Sequence, residues 1–483
     1  MKRRQKPLIW LLTLAVCLFS YRPGKAQATA QDTVQVLTIQ DFYQLILQHH
    51  PVASQAALLT EQARQELRIA RGALDPVLSG KFSKKEFNGK EYYNIWTNTL
   101  RIPTWFGPEI RAGFDKTQGQ YLNPENLTPD NGLSYAGISV PLGQGLFIDE
   151  RRGVIQQARL FQEIAEAERV KLINKLLLDA TKDYWDWQLH YTTTRVFQES
   201  LDLAAFRLKA VRIRVQEGDL AAIDTVEALT EVQTREVMLQ EALVDYANAR
   251  LRVAQHLWAE DYVPLELQEG TIPALDGVAL TTLSAAEMQE LLESARLNHP
   301  DLRKLELKGQ QLSIERRVAA DKLKPKLNAD YNVLQSDFYM NADALERQHL
   351  GNNYKLGLSL SLPLFLREER GKLQLTKAKQ QINALELTQS IREVEISILA
   401  AYNEWVALEK QLLLQERMVT NAKTLRDGEM IRFQNGESSL FLINSREMKL
   451  LEAQVKLLNL RAKYAKAKTL LYWAAGNIEL EQL

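Results

Sequence analysis

Residues 150–216 read ERRGVIQQARLFQEIAEAERVKLINKLLLDATKDYWDWQLHYTTTRVFQESLDLAAFRLKAVRIRVQ. No proline occurs from Leu142 to Val263 and no glycine from Val154 to Glu217, so nothing here is built to stop a helix. A helix of about 67 residues is roughly 100 Å long at ~1.5 Å per residue, far beyond the roughly 8 to 20 residues of ordinary globular helices. Charges recur along it, at Arg169, Lys171, Lys175, Asp179, Lys182 and Asp183, which excludes a membrane span. Ile173, Leu177, Ala180, Tyr184 and Trp187 fall three or four residues apart, the spacing of a face packed on other helices. The helix is predicted to end at Glu217-Gly218-Asp219, where glycine can turn left-handed and Asp219 can cap a second helix running to about Trp258.

At 46% hydrophobic and 25% charged, the 483-residue chain has the composition of a folded protein of two or three domains. Its N-terminus reads as an export signal over residues 1–28: basic Lys2 to Lys6, an apolar core from Leu8 to Phe19, and Ala26-Gln27-Ala28 for cleavage. That segment holds six of the 60 basic groups and no acid, so its removal leaves 54 basic against 60 acidic groups. No basic patch dominates, which argues against a nucleic-acid partner. The only cysteine, Cys17, lies in the signal's apolar core, and Val16 before it is a poor fit to a lipidation site. A mature chain without thiols suits an oxidising export compartment.

The second half repeats the first. His50-Pro51 recurs as His299-Pro300 and Leu74-x-Pro76 as Leu323-x-Pro325, both 249 residues on. Val140-Pro141-Leu142 recurs as Leu362-Pro363-Leu364, and beyond it the offset is 218: Tyr184 and Trp187 match Tyr402 and Trp405, while Arg214-x-Gln216-x-Gly218 matches Arg432-x-Gln434-x-Gly436. The fall in offset places about 31 extra residues in the first copy, around Trp96 to Asn131. The expected organisation is a first repeat over 29–258, with strands at about 76–141 and a helical hairpin at about 150–258. A linker follows over 259–283, then a second repeat over 284–483, with strands at about 325–363 and a hairpin at about 368–474. Each copy reads as short helix, strands, long helix, short helix, with all strands at one end of a helical rod.

The strands alternate. Tyr354, Leu356, Leu358, Leu360 and Leu362 face one way, and Lys355, Gly357, Ser359 and Ser361 the other; Leu327 to Val333 alternates with Lys326 to Asn332. Lipid-facing barrel strands need this pattern, and a half-buried soluble sheet also shows it. Export, bracketing aromatics and a common strand end favour the barrel.

In the order of these motifs, given twice over nearly all of the mature chain, the sequence resembles the TolC family of outer-membrane efflux channels. The resemblance implies a mostly α protein with a membrane β-barrel. Three chains would each give four strands to a shared twelve-stranded barrel in outer-membrane lipid, on a long α-helical periplasmic tunnel. Its partners would be two further copies, a periplasmic adaptor and an inner-membrane transporter. Four strands alone cannot close, and open edges cannot face lipid, which supports sharing on physical grounds. The resemblance also places adaptor contacts at the hairpin tips, Gly218, Asp219, Gly436 and Glu437, and a polar gate just beyond them. Asp224 matches an acidic gate position; in the second copy Leu442 and Asn444 stand where carboxylates are expected, leaving Glu437 and Glu447 as substitutes and Arg432 as a partner for Asp224. The row Leu356, Leu358, Leu360 is expected to face lipid.

An enzyme finds little support. None of the six histidines stands in a metal or catalytic spacing; His49, His50 and His299 flank prolines at helix breaks, and no phosphate loop or nucleophile elbow occurs. No cofactor is implied. The rival reading is an exported helical-hairpin adaptor or structural protein of the periplasm, whose small β domain would bury Leu356, Leu358 and Leu360 in a core.

Overall fold

The structure is a computed structural model describing residues 35–275, 280–281, 283–338 and 351–478. The expected signal at 1–28, with Cys17, lies outside the described residues. In chain order the elements are β1 (Val36–Leu37), α1 (Ile39–His49), α2 (Pro51–Gly72), β2 (Val77–Phe87), β3 (Lys90–Pro103), β4 (Glu109–Gln118), β5 (Leu133–Pro141), α3 (Glu150–Gln216) and α4 (Ala222–Ala254). The second repeat follows as β6 (Ile272–Pro273), α5 (Ala285–Asn298), α6 (Pro300–Asp321), β7 (Lys326–Ser336), β8 (Tyr354–Ser361), α7 (Arg367–Gln434) and α8 (Leu440–Ala474).

The long helix forms over the residues read from the sequence. Asp149 caps its start, its Oδ1 accepting from the Arg152 N–H at 3.0 Å. At its far end Gly218 has φ +84°, and at the matching end of α7 Gly436 has φ +78°. Nothing lies within 4 Å of a Cβ at either glycine, so backbone conformation alone calls for them. Near the sheet the helices stand in the order α2, α3, α6, α7; toward the tips the order is α4, α3, α8, α7. The pairs of short helices thus share the length of the two long ones, and every level of the rod is four helices wide.

The main cores sit where short helices meet. Phe42, Tyr43 and Ile46 of α1 pack on Tyr184 and Trp187 of α3, and Trp405 of α7 packs on Tyr464 and Leu471 of α8. Both tryptophans are fully buried, as helix packing requires. The parallel pair β1 and β6 lies beside this layer and gives Tyr184 Oη a carbonyl acceptor at Leu37, 2.9 Å away.

At the opposite end from the tips is one antiparallel sheet, in the order β2-β3-β4-β5-β7-β8. Among the described residues this sheet therefore has six strands, not the four expected. The extra residues of the first repeat are the hairpin β3–β4, and it begins before the predicted excursion because β3 pairs with β2 from Lys90 onward. The hairpin turns at Thr104–Pro108, where the Thr104 amide donates to the Pro108 carbonyl at 3.1 Å. Sheet and helices are tied at their junction by Asp321 of α6, buried, whose Oδ2 accepts from the Gly145 N–H at 2.5 Å and which pairs with Lys324 at 2.6 Å.

Candidate functional site

The two faces of the sheet differ in chemistry across all six strands. Register runs Ile102, Ile110, Ile138, Tyr331, Leu356 along one row and Leu78, Leu100, Ala112, Ala136, Val333 along the next. This face is apolar and exposed over both edge strands: Leu356, Leu358 and Leu360 are 61%, 70% and 71% exposed, and Leu78 and Phe82 are exposed on the far edge, while Phe114 and Val333 toward the outer end are buried. A soluble β domain of the adaptor kind would have hidden that row. The other face carries Lys81, Arg101, Arg111, Lys326 and Lys355 against Glu109, Asp115 and Asp330. Arg111 ties its strands together, bonding Asp330 at 2.9 Å and Glu109 at 3.3 Å.

Aromatic residues bracket the apolar face. Trp105, Phe106, Phe147 and Phe365 are exposed around the junction with the helices; Phe147 and Phe365 lie under the cationic ends of Lys324 and Arg367 at 5.5 and 5.2 Å. Phe87, Tyr92 and Tyr121 gather at the outer end, with Tyr92 and Tyr121 rings 4.6 Å apart. An apolar band between two groups of aromatic residues is the arrangement that membrane-spanning barrel strands require. Among the described residues no helix is long and apolar enough to cross a membrane.

At the tips the four predicted gate residues do not come together within one chain. Asp224 accepts from the Ala221 N–H at 3.1 Å and so caps the start of α4. Arg432 donates to the Glu437 carbonyl at 3.4 Å and lies 3.7 Å from Glu429. Glu437 offers only its backbone to these contacts. Glu447 is different: it is 7% exposed and receives both Arg207 of α3, through two bonds, and Arg235 of α4 at 2.8 Å. Arg235, 2% exposed, also reaches Glu231 at 3.0 Å and the Ser200 carbonyl at 2.9 Å. Burial opposes the charge on Glu447, but the Arg207 and Arg235 guanidiniums outweigh it and hold its carboxyl below the ordinary glutamate value. Asn444 joins the cluster, accepting from Arg207 at 3.1 Å and donating to Glu227 at 3.4 Å. A second cluster, centred on buried Glu429, accepts from the Ser438 hydroxyl at 2.6 Å and lies 3.8 Å from Arg446.

Residues 291–477 match the family model of the outer membrane efflux protein. The second repeat therefore carries an outer membrane efflux protein domain. Solved structures of low identity share the fold of the chain. A membrane protein from Pseudomonas aeruginosa has a TM-score of 0.64 at 15% identity, covering 91% of this chain and 90% of that one. The CmeC outer membrane channel of Campylobacter jejuni gives 0.61 at 16%, covering 91% and 85%. The MtrE outer membrane channel of Neisseria gonorrhoeae, in its open state, gives 0.62 at 16%, covering 91% and 88%. No curated protein sequence matches the chain.

Sequence reasoning missed Arg207, Arg235 and Glu429. A signal for the first two was present: at the 218-residue offset Arg207 corresponds to Leu425, Arg235 to Ala453 and Glu447 to Leu229. Charge in one repeat facing apolar residues in the other marks a contact that the two copies do not share. The histidine–proline pairs have the local role expected of them: Nδ1 of His50 accepts from the Val52 N–H at 3.1 Å and Nδ1 of His299 from the Asp301 N–H at 3.2 Å, each capping a helix that proline opens. Burial lowers the pKa of both, which keeps the rings neutral and able to accept.

Proposed function

We propose that three copies of this outer membrane efflux channel close into a ring, their sheets forming one barrel in the outer membrane and their helices a tunnel in the periplasm. The carrying observation is the sheet: apolar on one face and exposed there along both edge strands, charged on the other face, and with β2 and β8 as its outer edges. An open sheet of this kind has no place in lipid, whereas β8 of one copy paired with β2 of the next leaves no edge. The repeat supports the same ring. Within one chain α3 packs on α8; its counterpart is α7 on α4, which stand at opposite sides of the row and can meet only between copies. On that seam Leu425 and Leu229 are exposed in the single chain and would be covered in the ring.

The tips then form the periplasmic entrance, where Gly218, Asp219, Gly436 and Glu437 would meet an adaptor that passes substrates from an inner-membrane transporter. Asp224, Arg432 and Glu437 stay near the surface and are available to a neighbouring copy, while Glu447 is committed to its own chain. In mild detergent the signal-cleaved protein should run near three times the chain mass and form channels in planar bilayers. A stable monomer that needs no detergent would sink this reading. Asp224→Ala should raise single-channel conductance at unchanged trimer yield; an unaltered conductance leaves Asp224 as a helix cap.

A further inference from the structure

We infer that the wall of the pore has eighteen strands, because the inserted hairpin β3–β4 is part of the barrel and not a loop outside it. The inference rests on the trimeric channel proposed above. Three observations carry it. First, the hairpin lies inside the sheet, between β2 and β5, paired along its length on both sides. Second, it obeys the facing rule of its neighbours: Leu100, Ile102 and Ile110 continue the apolar rows, while Arg101, Arg111 and Asp115 continue the polar face, where Arg111 bonds Asp330 of the second repeat at 2.9 Å. A hairpin extending beyond the membrane would have no need of that alternation. Third, its turn comes down to the helix end, where a Cβ built on Gly107 would lie 3.6 Å from the Arg152 guanidinium at the start of α3 and Trp105 and Phe106 stand in the aromatic girdle.

Widths agree. Four helices abreast at about 8–10 Å spacing are roughly 32–40 Å wide. Six strands spaced ~4.8 Å and tilted by about 40° cover about 38 Å of circumference, whereas four would cover about 25 Å. Since barrel diameter grows roughly linearly with strand number, eighteen strands give a barrel about 1.5 times as wide as twelve, in the range that leaves an aqueous channel. The outer-membrane part would then be a wide vestibule, and exclusion of bulky solutes would fall to the tips.

The deciding measurement is the strand count of the full-length trimer in lipid nanodiscs by electron cryomicroscopy. Eighteen strands bear the inference out; a trimer with a twelve-stranded wall and β3–β4 outside it overturns the inference and leaves the channel intact. Absence of any trimer with a shared barrel overturns the channel reading and the inference together. Labelling gives a second route in the complete chain, whose single cysteine is Cys17. On a background with Cys17 replaced by serine, Leu100→Cys should react with a bilayer-dissolved maleimide and resist a membrane-impermeant one, and Thr99→Cys should do the reverse. Equal reaction of both with the impermeant reagent would place the hairpin outside the wall.

Discussion

The two repeats agree in their helices and differ in their sheets. The long helices have 67 and 68 residues and the helices that return from the tips 33 and 35, yet the first repeat contributes four strands and the second two. Helix length sets how far the rod reaches, and a mismatch would misplace one tip relative to the other. Sheet width obeys a weaker constraint with its own grain: strands can be added only in pairs, because a single extra strand would deliver the chain to the wrong end of the sheet. The difference teaches that reach is fixed and width is free in steps of one hairpin.

The harshest way to break this comparison is to remove one strand. Deleting residues 90–103 leaves an odd number of strands in the first repeat and should abolish trimer recovery from membranes. Deleting residues 90–118, the whole hairpin, should still yield trimer; equal loss from both deletions would contradict the pairwise rule.

Next in size is the buried charge at the tip. Glu447→Ala strands Arg207 and Arg235, and removing one member of a buried cluster costs about 3–5 kcal/mol. Glu437→Ala at the exposed tip should change stability by less than about 0.5 kcal/mol. Hydrogen exchange of α8 amides in the trimer measures both, and equal effects would mean that the cluster is not a bolt between α3, α4 and α8.

On the sheet, Leu358→Arg should cost about 2–4 kcal/mol in the membrane, as cations at the midplane of barrels do, while Ser359→Arg on the opposite face is tolerated better. Trimer yield during chemical unfolding in lipid reads this out, and the same loss from both would argue for a sheet buried on two sides.

The smallest effect concerns the paired histidine caps. Because burial lowers both pKa values, the neutral form is favoured in the folded chain. Each cap is worth about 1 kcal/mol, fully present above the ordinary histidine value near 6.5 and lost as pH falls through the lower folded values. Exchange protection at the Val52 and Asp301 amides should drop together as pH falls below the ordinary histidine range. Protection that ignores pH after correction for intrinsic exchange would remove the histidines from that role.

What the sequence disclosed follows from the range of the interactions involved. The long helix and its far end are local matters of missing proline, missing glycine and the turn at Gly218, so a helix over Glu150 to Gln216 was readable directly. The apolar, exposed face of the sheet was readable from alternation in Tyr354 to Leu362. Strand number was not, since Trp96 to Asn131 contains polar turn residues and aromatics whose pairing depends on β2 and β5. The Glu447 cluster was further out of reach: Arg207 lies 240 residues away, and only comparison of the two copies marks either position as unusual.

The free rows of amides and carbonyls on β2 and β8 also bear on how the channel comes into being. On the proposed trimeric reading, a solitary chain would have no stable intermediate stop in the bilayer, so insertion and association would occur as one event. The rate of that event should climb with a high power of chain density. Expression level would then act as a threshold, with few channels beneath it and a sharp rise above.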